Sequence, residues 1–138
     1  MISIFIGLVL SLLIIVFAKL TRFEQDLSFY PTLLIVIASY YVLFSVIAGH
    51  SILLEAFIAL AFFGIAILGA YKSLVIVGLG IVVHGAYDII HAVYLNNSVS
   101  PSWWPAFCAT VDIVLGSWVI YSCKKGRLQL QAKKHKFM

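Results

Sequence analysis

Apolar runs of roughly 17–23 residues, the length an α-helix needs to cross about 30 Å of hydrocarbon, recur five times along this chain. They fall at about residues 2–18, 31–49, 51–71, 73–95 and 105–123. In lipid each run must satisfy its own backbone N–H and C=O groups, which a helix does alone. Composition demands the same solvent: 64% of the 138 residues are hydrophobic and 10% charged, with a mean hydropathy of +1.13, more apolar surface than a soluble domain of this length can hide. The sequence predicts an all-α, polytopic membrane protein: one bundle of five transmembrane helices over residues 1–123, followed by a basic tail, 124–138. The narrowest boundary is Gly49-His50-Ser51. A single helix over 31–71 is far too long for a bilayer, so a tight hairpin is expected there.

Charge supplies the orientation. Lys19 and Arg22 follow the first run, Lys72 the third, and the tail KKGRLQLQAKKHK the fifth, whereas the connections after the second and fourth runs hold neither Lys nor Arg. With five spans every Lys and Arg falls on one side, which the positive-inside rule makes cytoplasmic, with the N-terminus outside and the C-terminus inside. The formal net charge of +4 does not form a basic face for nucleic acid; it reads as a membrane-proximal segment drawn to anionic lipid. The rival reading takes residues 1–18 as a cleaved signal peptide, but the segment lacks a basic n-region and its removal reverses the charge rule. Tyr94, Trp103 and Trp104 at outer ends, and Tyr30, Tyr71 and Tyr121 at inner ends, are placed for an interfacial aromatic belt.

Against this apolar background, HGAYDIIHAVY holds His84, Asp88 and His91, and FCATVD holds Cys108 and Asp112. An ionisable side chain in a membrane helix costs about 2.5–3.5 kcal/mol to insert and points to function by default. At 100° per residue His84, Asp88 and His91 form one stripe on the fourth helix, and Cys108 and Asp112, four apart, share a face of the fifth. Gly78, Gly85 and Ala92 make a small-residue seam suited to close packing within the chain or to a homodimer. Helical rise places Asp88 and Asp112 about 10 Å below the outer helix ends, His91 and Cys108 about 5 Å, Glu55 about 6 Å and His84 about 16 Å. Antiparallel neighbours pack together, so Asp88 is expected opposite Asp112 and His91 near Cys108, with Tyr40 or Tyr41 closing the ring.

Two imidazoles and two carboxylates suit a divalent transition metal, zinc or iron, whose charge the two aspartates balance. In that reading His84, Asp88, His91 and Asp112 are metal ligands, Cys108 an accessory ligand, and Glu55 a catalytic proton carrier for metal-activated water or oxidant acting on a lipid-soluble small molecule. The H-x3-D-x2-H spacing is weakly specific. Two alternatives stay open: a proton or metal-ion relay, and polar groups that only lock helices together. The cysteines, about 22 Å apart along one helix, cannot pair within the chain. No Walker loop, GxSxG or paired CxxC is present, so nucleotide-driven transport and dithiol redox chemistry are not expected.

The segment HGAYDIIHAVYLNNSVSPSWWPAFCATVDIVLG resembles a pattern of small bacterial inner-membrane proteins of unknown function: an H-x3-D-x2-H helix, a short Pro-aromatic loop, then a C-x3-D helix. The likeness covers about the last third of the folded region, with His84, Asp88, His91, Cys108 and Asp112 all at matching positions. It implies a multipass protein of the bacterial plasma membrane and assigns no catalytic residue.

Overall fold

The computed structural model describes residues 1–94 and 100–128. Five helices form where the apolar runs lie: α1 Ile2–Thr21, α2 Phe29–Ala48, α3 Ile52–Lys72, α4 Leu74–Tyr94 and α5 Trp104–Lys124, with a 3-10 turn at Phe23–Gln25 between the first two. Each is long and apolar enough to cross a membrane, and no strand occurs among the described residues. This is the architecture of a multipass membrane protein. The basic tail beyond Leu128, with Lys133, Lys134 and Lys136, lies outside the described residues, and Lys124 belongs to the last turn of α5.

Local chemistry ends the helices within a few residues of the expected limits. Gly49, at φ 77°, turns the chain left-handed after α2, and its N–H returns to the Ser45 carbonyl at 2.8 Å, a glycine C-cap. Ser51, at φ 62°, completes the expected tight hairpin. Ser73 is extended, which alone separates α3 from α4, and its Oγ accepts the Val75 N–H at 3.2 Å. Pro105 opens α5 where a missing N–H costs nothing.

Side-chain contacts set the helix directions. Phe62 meets His84 and Gly69 abuts Val77, so α3 and α4 are antiparallel; Gly78 faces Gly116 and Ile120 while Gly85 faces Ala109 and Asp112, so α4 and α5 are antiparallel too. Gly7 against Phe107 and Thr110, with Lys19 over the Trp118 ring at 4.4 Å, make α1 and α5 parallel. The closest helix pair is α4 with α5, α1 leans on the far side of α5, and α2 and α3 close the bundle against α4. Because successive helices alternate, Lys19, Arg22, Lys72, Lys124, Lys125 and Arg127 gather at one end, hereafter the basic end.

The apolar core fills the half of the bundle nearer that end: Tyr30 and Leu34 of α2, Phe62 and Ala66 of α3, Leu74, Val77 and Ile81 of α4, and Leu115 and Val119 of α5. Tyr71, Tyr94, Trp103 and Tyr121 are exposed in keeping with an aromatic belt. Tyr30 departs from that expectation. It is fully buried and its hydroxyl donates to Glu24 Oε2 at 3.4 Å, because the Phe23–Gln25 turn folds back over the end of α2.

The seam works inside the chain. A Cβ on Gly78 would lie 2.8 Å from Ile120 Cγ1 and 3.1 Å from the Gly116 carbonyl oxygen; one on Gly85 would lie 3.0 Å from Asp112 Cβ. Glycine lets the two backbones approach to this distance. Ala92, the third residue of the seam, is exposed.

Candidate functional site

In the half of the bundle away from the basic end, the buried surface turns polar. Glu55 of α3, His84, Asp88 and His91 of α4, and Asp112 of α5 are all buried, none more than 4% exposed. Their helical spacing puts the α4 residues on one stripe facing the bundle interior, as expected, while Leu79, Ala86, Ile89 and Val93 face outward.

The polar groups form two adjoining clusters. In the deeper one, His84 Nδ1 lies 2.8 Å from Asp112 Oδ2, a hydrogen bond in the tautomer that carries its proton on Nδ1, and 3.7 Å from Asp88 Oδ2. One ligand atom from each of His84, Asp88 and Asp112 falls within 4.8 Å of the others. Both carboxylate oxygens of Asp88, and Oδ1 of Asp112, are buried with no hydrogen-bond partner among the described residues. Such oxygens are costly in a low-dielectric interior unless a proton or cation satisfies them. The separations of 2.8 and 3.7 Å bracket the roughly 3.3 Å between neighbouring ligand atoms of a tetrahedral ion with bonds of about 2.0 Å. With the imidazole proton on Nε2, these three residues could hold a divalent ion.

The second cluster joins α3 to α4. Glu55 Oε1 accepts from His91 Nε2–H at 2.8 Å, and Glu55 Oε2 accepts from the Tyr87 hydroxyl at 2.8 Å. Aromatic rings wall both clusters. Tyr41 of α2 stacks on His91 with centroids 4.3 Å apart, and Phe62 meets His84 edge-on at 4.7 Å. The Tyr41 hydroxyl is buried and has no hydrogen-bond partner among the described residues.

This arrangement redraws the single ring expected from the sequence. The α4–α5 register sets His84, rather than Asp88, level with Asp112, because depth counted from the ends of apolar runs misplaces one helix against the other by about a turn. Asp88 still reaches the same site, one turn along the stripe. His91 turns to Glu55 instead of towards Cys108, and Cys108, buried with a free thiol, stands outside the group of three. Glu55 is buried, 2% exposed, although it lies in the first turn of α3. Tyr40 packs edge-on against Trp104 at 5.1 Å and takes no part. Tyr87, whose phenol completes the second cluster, was not among the expected site residues. The sequence held a signal for that cluster, since Glu55 and His91 have nearly equal depths in consecutive antiparallel helices.

No protein-family model matches this sequence, and comparison with curated proteins and with solved structures finds no match.

Proposed function

We propose that this chain is a multipass protein of the bacterial inner membrane that binds a divalent transition metal, zinc or iron, between His84, Asp88 and Asp112. One observation carries the reading: two buried carboxylates, with three oxygens lacking hydrogen-bond partners among the described residues, each bring a ligand atom within 4.8 Å of the His84 imidazole and of each other. Two ionised aspartates and a neutral imidazole carry a charge of −2, which a divalent ion cancels, leaving a neutral site in an apolar bundle. Three protein ligands leave a position for water or substrate, the pattern of catalytic rather than structural zinc. When bound, the metal would supply Lewis-acid activation for a lipid-soluble substrate entering between helices.

The collection of the described Lys and Arg residues at one end supports an orientation with that end in the cytoplasm and the N-terminus outside. The metal site then opens towards the outer leaflet.

Elemental analysis of protein purified from metal-replete cells tests the reading. About one divalent metal per chain is expected, lost in Asp88→Asn and in Asp112→Asn. A metal-free wild type would overturn it.

A further inference from the structure

Glu55 and His91 repeat the donor types of the deeper site, carboxylate and imidazole, one step nearer the end of the bundle. Glu55 lies in the first turn of α3 and His91 in the last turn of α4, both at the end opposite the lysines and arginines. Between the two clusters stands Tyr41, 2% exposed, its ring stacked on His91 and its hydroxyl without a hydrogen-bond partner among the described residues. A buried phenol of this kind needs an acceptor, and Asp88 on the same side of the bundle carries two unpartnered oxygens. Donor atoms are thus distributed in steps from the end of the bundle to its middle: Glu55 and His91, then Tyr41, then Asp88, then His84 and Asp112.

Among the described residues the opposite direction offers no buried carboxylate or imidazole. Between the deeper site and the basic end, the buried positions of α4 are Leu74, Val77, Gly78, Gly80 and Ile81, and those of α5 are Leu115, Gly116, Val119, Ser122 and Cys123, with Ser122 and Cys123 in the last turn beside Lys124. A hydrated or partly hydrated cation has no replacement for its water ligands along the apolar part of that surface.

We infer that Glu55 and His91 form a second, transient divalent-cation site, the station through which metal enters and leaves the site at His84, Asp88 and Asp112. The inference rests on the metal reading above and adds direction to it. In the structure His91 Nε2–H donates to Glu55, so a passing ion takes Nε2 as its proton is lost and the neutral ring keeps its proton on Nδ1, exchanging one hydrogen bond for two metal–ligand bonds. Tyr87, donating to the second oxygen of Glu55, holds the carboxylate in place during the exchange.

The test uses the full chain in lipid nanodiscs, with zinc as the probe and a chelating dye reporting association and release. Glu55→Gln, and separately His91→Gln, are expected to slow both association and release by about tenfold while leaving equilibrium affinity unchanged. A folded variant with unchanged rates would overturn the inference. Faster exchange would also overturn it, because the pair would then be a plug rather than a station. The two variants keep the test alive if one fails to fold, since His91→Gln retains a donor for Glu55. Absence of zinc binding by the wild type is a different result: it removes the metal reading itself.

Discussion

His84 and Asp112, 28 residues apart on antiparallel helices, share a buried 2.8 Å hydrogen bond that ties α4 to α5 at the middle of both. Asp112 Oδ1 has no partner among the described residues, so this carboxylate is held through its Oδ2 bond to His84. Removing the imidazole strands a charge. Removing both groups does not.

This difference separates stability from binding. Polar contacts in membrane proteins average only about 0.6 kcal/mol, whereas a buried carboxylate left without its partner costs several. His84→Phe should therefore destabilise the protein by about 2 kcal/mol, measured by unfolding in mixed micelles. Combining it with Asp112→Leu should recover most of that loss while metal binding stays absent. Recovery of metal binding in the double variant would remove both residues from the ligand set.

The glycine seam predicts a sharp positional contrast. A Cβ on Gly116 would fall 2.5 Å from Val82 Cγ2 and 2.7 Å from the Gly78 carbonyl oxygen, and backbone cannot swing aside as a flexible side chain can. Gly116→Ala should cost about 1–3 kcal/mol by overpacking and weaken metal binding by displacing Asp112. Gly64, with nothing within 4 Å, is the control, and Gly64→Ala should be neutral or slightly stabilising. Equal effects at the two positions would contradict this helix packing.

Helix α1 should behave as part of the bundle. Its small residues Gly7, Ser11 and Ala18 are buried, and a Cβ at Gly7 would meet the Phe107 carbonyl oxygen at 2.8 Å. Gly7→Val should lower stability by about 1–3 kcal/mol, and the intact mass of the purified protein should include residues 1–18. A mature chain beginning after Ala18 would restore the signal-peptide reading.

Orientation can be read by labelling. In a background lacking Cys108 and Cys123, a membrane-impermeant thiol reagent added to whole cells should modify His50→Cys, in the exposed α2–α3 turn, and spare Lys72→Cys. Inverted vesicles should give the opposite pattern. Labelling of both from one side would contradict five spans.

Tyr87→Phe removes the phenol hydrogen bond to Glu55 Oε2 and leaves the ring in place. A loss of about 1 kcal/mol is expected, with unchanged metal stoichiometry. Loss of the bound metal would move Tyr87 into the metal site.

Helix limits were legible to within three residues because span length, Gly49, Ser73 and Pro105 each act locally. The α4 stripe was legible for the same reason, since helical periodicity alone puts His84, Asp88 and His91 on one face. Partnership was harder to read. Whether Asp112 meets His84 or Asp88 depends on the α4–α5 register, which the contacts of Gly78, Gly85 and Gly116 determine at a distance in the sequence. The turn of His91 towards Glu55 depends on how α3 docks, and Tyr87 gained its role only because that docking brought Glu55 within 2.8 Å of its hydroxyl.

The two least apolar spans, α4 and α5, are also the pair packed most closely. A ribosome delivers α4 first. If each helix left the insertion machinery on its own, His84 and Asp88 would enter lipid before Asp112 had been synthesised, at the cost that lone ionisable groups incur there. Biogenesis is therefore expected to treat Leu74–Tyr94 and Trp104–Lys124 as one helical hairpin, retained until its second arm is complete. For this chain, the timing of insertion becomes part of how the site is built.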